Sequence, residues 1–163
     1  MLVVDIVRCA ARTTGLLLRG HLHVGNERRG RAVAFPNGSR FVVFRETCCD
    51  LPPVAPPVLL LVRFRLRFVP PGARLRRWLF ERESILNTLL FAGCDGYITK
   101  LWMVNPATSE YAGMYAWAGA ERAGRYGDYI TAVLRPLAVP GSLSYTVDPG
   151  RTLDDAAAAG MAA

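Results

Sequence analysis

The sequence predicts an α+β protein, and three observations support that prediction. Runs of β-prone residues are separated by two segments in which apolar residues recur at three- and four-residue spacing. The apolar fraction of 52% and the charged fraction of 20% are typical of a folded chain. A proline-rich stretch, LPPVAPPV, separates an irregular N-terminal part from this regular pattern. We therefore expect a main domain of strands and helices preceded by an N-terminal extension.

The changes in pattern divide the chain into three parts. Residues 1–57 are expected to form the extension, which ends in the proline-rich linker, residues 58–149 the main domain, and residues 150–163 a flexible tail. The extension contains a β-hairpin, because the β-prone runs Arg31–Phe35 and Arg40–Arg45 flank the turn sequence PNGS. The small residues of the tail offer nothing to bury.

The main domain is predicted to have the order β-α-β-β-α-β. Its first strand, VLLLVRFRLRF, is followed by a helix, and the strands Tyr97–Val104 and Tyr111–Trp117 flank the turn sequence NPATSE. A second helix ends near Pro136, and Gly141–Val147 is the last strand. The apolar residues at helical spacing are Leu75, Trp78, Leu79, Ile85, Leu86 and Leu89, then Ala123, Tyr126, Ile130, Val133, Leu134 and Leu137. This order predicts a ferredoxin-like unit, a four-stranded antiparallel sheet with both helices on one face.

The net charge of +7 does not single out nucleic acid as a partner. Nineteen of the twenty basic residues are Arg, a bias that a GC-rich coding sequence produces without selection for phosphate binding. Residues 1–57 carry 8 basic and 4 acidic groups and residues 58–149 carry 11 and 7, so each part is +4 and the charge is spread. Nucleic acid is therefore an unfavoured partner.

The first residues resemble a targeting segment only superficially. Asp5, Arg8, Arg12 and Arg19 interrupt each apolar run before it reaches the length of a signal peptide or a membrane span. We expect a soluble, cytoplasmic protein with no membrane partner.

The chain has four cysteines: Cys9, Cys48, Cys49 and Cys94. They include no Cys-x-x-Cys pair, which favours reduced, mostly buried thiols over a disulfide framework or a structural zinc site. His21 and His23 share one face of a possible strand, but their spacing matches no known ligand set, so no metal is expected. No glycine-rich strand-to-helix fingerprint for a flavin or nicotinamide is present, and no cofactor is expected.

The main domain carries short motifs on its strands and its second helix. They are Lys-x-Trp (Lys100, Trp102), Gly-x-Tyr (Gly113, Tyr115) and Ala-x-x-Tyr (Ala123, Tyr126). With these motifs, residues 60–148 resemble the YdhR-type monooxygenases of the dimeric α/β-barrel superfamily, which includes the antibiotic-biosynthesis monooxygenases. The resemblance implies a homodimer in which two sheets pair face to face, with substrate between sheet and helices or within the barrel. The N-terminal extension departs from the family, whose members are mostly one bare unit.

Strand parity predicts which side chains share a face of the sheet. We expect Phe64 and the small and aliphatic residues of the next two strands, such as Met103 and Met114, to face the helices. Basic and aromatic side chains fall on what we expect to be the open face. The candidate substrate-binding residues among them are Arg65, Lys100, Trp102, Tyr111, Tyr115 and Trp117.

This set admits two interpretations. Tyr, Trp and Arg are enriched in buried interfaces, so the set can form a dimer interface or pack under the N-terminal hairpin. It can also form a pocket within that interface, because aromatic walls with a few cations suit a flat, anionic or easily deprotonated aromatic ligand.

The family resemblance implies cofactor-independent oxygenation, in which a phenol or enol is deprotonated and its carbanion reacts directly with oxygen. Arg65, Lys100 and Trp102 would then donate hydrogen bonds to the developing oxyanion. Tyr115 would donate or relay a proton, and Trp117 would stack on the substrate. Tyr115 and Lys100 are the candidate catalytic residues.

The base that such a reaction needs is missing from the predicted pocket. Residues 58–163 contain no His, and Glu110 has the opposite parity, so only His21, His23 or Glu46 of the extension could supply it. Two alternatives stay open: a non-catalytic ligand-binding or dimeric scaffold protein, and an RNA-binding module. The RNA-recognition motif has the same element order and stacks bases on aromatic residues of its third strand.

Overall fold

A computed structural model describes residues 2–69, 78 and 86–162, and in these residues one antiparallel sheet carries α-helices on both faces. The strands are β1 (Leu22–Gly25), β2 (Ala32–Ala34), β3 (Arg40–Cys49), β4 (Pro57–Arg65), β5 (Tyr97–Val104), β6 (Glu110–Ala118) and β7 (Ser144–Asp148). The helices are α1 (Leu2–Leu18), α2 (Ala120–Leu134) and α3 (Leu153–Ala162), with a 3₁₀ turn at Leu86–Leu90. The predicted α+β class is confirmed. No helix within the described residues is long and apolar enough to cross a membrane.

The N-terminal strands belong to the same sheet as the main domain. The strand order is β1-β3-β5-β6-β4-β7, and β2 also pairs with β3. β3 pairs with β5 over Val42–Cys48, so the extension lengthens the sheet at the edge of β5. The predicted hairpin is present as β2 and β3, with Ala32 opposite Val42. Gly38 supplies the positive φ of 79° that its turn needs.

The four strands predicted for the main domain are present. Within the sheet they lie in the order β7-β4-β6-β5, and each neighbouring pair is antiparallel. The second predicted helix is α2. The first predicted helix, residues 75–89, lies mostly outside the described residues, which include only Trp78 and the 3₁₀ turn from Leu86 onward.

The two faces of the sheet bury two separate cores. The aromatic face carries Leu60, Val62, Phe64, Trp102, Tyr111, Tyr115 and Trp117, and it packs against Leu16 of α1 and Ala123, Tyr126 and Ile130 of α2. The aliphatic face carries Val33, Phe41, Val43, Leu101, Met103 and Met114, and it packs against Leu153, Ala156 and Ala157 of α3. Because both faces are buried, apolar residues occur at both parities of the central strands.

The prediction separated the two faces of β5 and β6 correctly but placed them on the wrong sides. Phe64 faces the helices as expected, and it lies directly opposite Tyr111 across β4 and β6, with ring centroids 5.8 Å apart. The aromatic residues of β6 therefore also face α2, whereas Met103 and Met114 face away from it. The physical reason is that both faces are buried, so alternation alone does not show which of them lies under α2.

The expected flexible tail is also corrected, because residues 153–162 form α3 on the aliphatic face. Thr152 and Asp155 exchange hydrogen bonds at its start: the Asp155 N–H donates to Thr152 Oγ1 (3.2 Å), and the Thr152 N–H donates to Asp155 Oδ2 (3.3 Å). A Cβ on Gly160 would lie 2.5 Å from a side-chain carbon of β2. The small residues thus allow the helix to approach the sheet closely.

Candidate functional site

Five of the six predicted binding residues lie together on the aromatic face, and the sixth does not. The five are Lys100, Trp102, Tyr111, Tyr115 and Trp117, each less than 9% exposed. Arg65 is exposed at the end of β4, on the opposite parity from Phe64, and its backbone N–H donates to Ser142 Oγ (3.1 Å). Tyr115 and Trp117 contact Tyr126 of α2, whereas Lys100 and Trp102 lie against Phe91, which follows the 3₁₀ turn. All five are buried and not on an open face, so their first role is packing.

The rings on β6 make close contacts with a tyrosine of α2. Trp117 stacks on Tyr126, with centroids 4.3 Å apart and 20° between the planes, and the hydroxyls of Tyr115 and Tyr126 are 3.2 Å apart. Burial raises the pKa of Tyr115 and of Tyr126 above the usual value. Both hydroxyls therefore stay protonated at neutral pH, so Tyr115 can donate a hydrogen bond but cannot act as a base.

Lys100 is a buried amine within a cage of rings. Its Nζ lies 3.0 Å from the ring centroid of Trp102, 4.3 Å from that of Phe91 and 4.8 Å from that of Tyr115. Burial lowers the pKa of Lys100 well below its usual value, and the charge of Arg45 adds to the effect. The ring faces attract the cation, but loss of water around the whole side chain is the larger effect. The amine is therefore deprotonated more easily than that of an exposed lysine.

Two of the three candidate bases of the extension are engaged away from the aromatic face. Glu46 is buried on the aliphatic side of β3, where it forms an ion pair with Arg28. His23 Nδ1 lies 3.2 Å from the Asp50 carboxylate at the surface. The third candidate, His21, is half-buried immediately before β1. None of the three lines the groove beside the aromatic cluster.

That groove has a volume of about 880 Å³ and lies between α1 and α2; we call it the α1–α2 groove. Its cationic residues are Arg8 and Arg12 from α1 and Arg122 and Arg125 from α2. Its aromatic residues are Trp117, Tyr126 and Tyr129. Among the predicted binding residues, Trp117 is the one that connects the aromatic cluster to this groove.

The α1–α2 groove carries more positive than negative charge. Arg122 Nε lies 2.7 Å from Asp95 Oδ2, and this hydrogen bond lowers the pKa of Asp95. Asp128 accepts a hydrogen bond of 2.7 Å from a tyrosine hydroxyl of β7. Among the side chains that the structure describes, Arg8 and Arg12 have no carboxylate within ion-pair distance. Two exposed guanidinium groups are therefore available to an anionic ligand.

The loop after the 3₁₀ turn is held against α1 and β6. A Cβ on Gly93 would lie 2.1 Å from the carbonyl oxygen of Cys9, and Trp117 Nε1 donates to the carbonyl oxygen of Asp95 (2.9 Å). Between these two contacts, the Sγ of Cys94 lies 2.9 Å from the Sγ of Cys9. No local sequence pattern predicts this pair, because 85 positions separate the two residues.

The groove offers no metal site of the usual kind, since the described residues contain no group of three or more His, Cys, Asp or Glu side chains that could hold an ion. Comparison with family models, curated proteins and solved structures finds no match to the chain. The resemblance to the YdhR-type monooxygenases therefore stays a prediction.

Proposed function

We propose that the protein binds a small planar organic anion in the α1–α2 groove. The observation that carries the proposal is the pair Arg8 and Arg12. Both are exposed on the α1 wall, and no described carboxylate side chain lies within ion-pair distance of either. Tyr129 lies half-buried on the α2 wall. The volume of about 880 Å³ falls within the range of small-molecule sites, about 300–1,000 Å³.

The two walls supply different interactions. The guanidinium groups of α1 would donate hydrogen bonds to a carboxylate or enolate. Such charge-assisted hydrogen bonds are stronger than hydrogen bonds between neutral groups. The ring of Tyr129 would contact the flat face of the ligand, and Trp117 forms part of the adjoining aromatic cluster. The site would thus favour ligands that are both negatively charged and planar.

The proposal concerns binding and not oxygenation. Removal of a proton from a bound phenol or enol requires a base within hydrogen-bond reach. The described carboxylates of the groove are already engaged, Asp95 by Arg122 and Asp128 by a tyrosine of β7. No observation favours the oxygenase prediction over non-catalytic binding.

We also propose that β4 to β7 form a ferredoxin-like unit extended by the N-terminal strands. The order β7-β4-β6-β5 and the position of α2 between β6 and β7 in the chain support this description. The aromatic residues of β6 lie beneath α2, which leaves them unable to stack on bases as an RNA-recognition motif requires. A homodimer, which stays a prediction, would likewise need a surface other than the aromatic face.

Calorimetric titration with naphthoate and with naphthamide tests the proposed function, because the two probes share a ring system and differ in charge. We expect naphthoate to bind more tightly, and the variant R8A/R12A to bind it at least about tenfold more weakly, since one charge-assisted hydrogen bond contributes about 1.5–3 kcal/mol. Arg29→Ala, an exposed turn residue outside the groove, is the matched control. Equal affinities for the two probes, or unchanged binding by R8A/R12A, would refute the proposal.

A further inference from the structure

Two cysteines from distant parts of the chain meet at the α1–α2 groove. Cys9 lies on α1 and Cys94 in the loop after the 3₁₀ turn, and both line the groove. Their Sγ atoms are 2.9 Å apart, and the two residues are not joined by a disulfide. Cys9 is buried, whereas Cys94 is partly exposed.

The surrounding structure holds the two sulfur atoms together. Gly93 lies so close to α1 that an added Cβ would be 2.1 Å from the Cys9 carbonyl oxygen and 2.6 Å from the Thr13 nitrogen. On the other side of Cys94, the Asp95 carboxylate is bound by Arg122 (2.7 Å). Cys94 is thus fixed between two anchors, and a side chain at position 93 would move it away from α1.

The groups around Cys9 favour the thiolate form of this residue. Cys94 can donate its S–H to Cys9, and the nearby Arg12 guanidinium stabilises negative charge on Cys9. The hydrogen bond from Cys94 is the main reason that the pKa of Cys9 is lowered, although burial opposes it. By contrast, burial raises the pKa of Cys48, which leaves that thiol less reactive.

We propose that Cys9 and Cys94 form a dithiol site that reduces a small anionic disulfide bound in the α1–α2 groove. The choice of an anionic substrate rests on the proposed function, because it depends on the same Arg8 and Arg12. The proximity of the two thiols does not depend on it.

The reaction is a two-step thiol–disulfide exchange. The Cys9 thiolate attacks one sulfur of R–S–S–R, which forms a Cys9–S–S–R bond and releases RS⁻, protonated by solvent. Cys94 then loses its proton and attacks the Cys9 sulfur, forming the Cys9–Cys94 disulfide and releasing the second RS⁻. Two electrons pass from the protein to the substrate, and excess small thiol drives the same steps in reverse.

The test uses two disulfides of equal chain length and opposite charge, dithiodipropionate and cystamine. The reduced full-length protein is mixed with each reagent, quenched by alkylation at intervals, and mapped by peptide mass spectrometry. We expect a Cys9–Cys94 disulfide. Cys48 and Cys49 should stay reduced and therefore be alkylated at the quench. The anionic reagent should react about tenfold faster, at the lower end of the gain that electrostatic focusing provides.

Single substitutions separate the two steps. Cys94→Ser should accumulate a mixed disulfide on Cys9, because the second attack is lost, whereas Cys9→Ser should react much more slowly. R8A/R12A should abolish the preference for the anionic reagent. It should also slow disulfide formation with both reagents, because the Arg12 charge that favours the Cys9 thiolate is lost.

The outcomes distinguish this proposal from the one on which it rests. Failure to form the Cys9–Cys94 disulfide with either reagent would overturn the dithiol site, even if naphthoate binds as expected. Equal rates with the two reagents would overturn the anionic substrate class. If naphthoate also fails to bind, the proposed function falls with it.

Discussion

The amine of Lys100 is buried, although burial is unfavourable for a charged ammonium group. An ammonium group loses its hydration when buried, and the three ring faces around Nζ only partly replace it. Because burial lowers its pKa, the folded protein binds fewer protons at this site than the unfolded chain does between the two pKa values. The resulting loss of folding stability is absent above the unfolded pKa of about 10.4. It grows as the pH falls toward the pKa of the folded protein.

We therefore expect Lys100→Met to stabilise the protein at neutral pH. Methionine fills the same cage without a charge. The variant should therefore be more stable than the natural protein at pH 7, and this difference should shrink by pH 9.5. Urea unfolding at both pH values measures it, with Arg29→Met as an exposed control. A difference between variants that does not change with pH would contradict the assignment.

Two glycines on or beside α1 should respond to alanine in opposite directions. A methyl group at Gly93 meets backbone atoms of Cys9 and Thr13, which cannot move aside, so Gly93→Ala should cost about 1–3 kcal/mol. Gly15 lies within α1 and has nothing within 4 Å of an added Cβ. Gly15→Ala should raise stability by about 0.5–1 kcal/mol. Urea denaturation of both variants measures the two changes in free energy of unfolding, which should have opposite signs. Destabilisation of equal size at both positions would refute the close packing of Gly93 on α1.

At the scale of elements, the described side chains with which α3 covers the aliphatic face are those of Leu153 and of small residues such as Ala156 and Ala157. Leu153 is 2% exposed and lies in the same core as Val33 and Leu101. Leu153→Ala should cost about 2–4 kcal/mol in free energy of unfolding. The exposed Ala158 on the same helix is the control, and Ala158→Gln should change stability by less than about 0.5 kcal/mol. Equal effects at the two positions would mean that α3 does not pack on the sheet.

The elements also show what local sequence can predict and what it cannot. The β2–β3 hairpin follows from its Asn-Gly turn, and β5 and β6 follow from alternation. Alternation divides a strand into two faces but does not say which face lies under a helix when both are buried. The cap formed by Thr152 and Asp155 was a usable signal for α3. The Cys9–Cys94 contact had no local signal, since it exists only once α1 and the loop have packed.

At the scale of the whole molecule, the α1–α2 groove joins the extension to the main domain. Its α1 wall comes from residues before the hairpin, and its α2 wall follows β6. Neither part alone contains both pairs of arginines, so the site exists only in the assembled chain. This arrangement explains why the even spread of charge along the sequence gave no hint of a local concentration of cations.

Because Cys9 and Cys94 come from distant parts of the chain, the oxidation state of the dithiol should affect the stability of the whole fold. A Cys9–Cys94 disulfide would close a loop of 85 positions and restrict the unfolded chain, which the chain-entropy treatment values at about 4–5 kcal/mol. We expect the oxidised protein to unfold at a higher urea concentration than the reduced protein, with Cys94→Ser showing no difference between oxidising and reducing conditions. The denaturation slope should also fall, because the crosslinked unfolded state exposes less surface. Identical midpoints for the oxidised and reduced protein would show that α1 and the loop are not joined in the folded state, and the dithiol site would lose its structural basis.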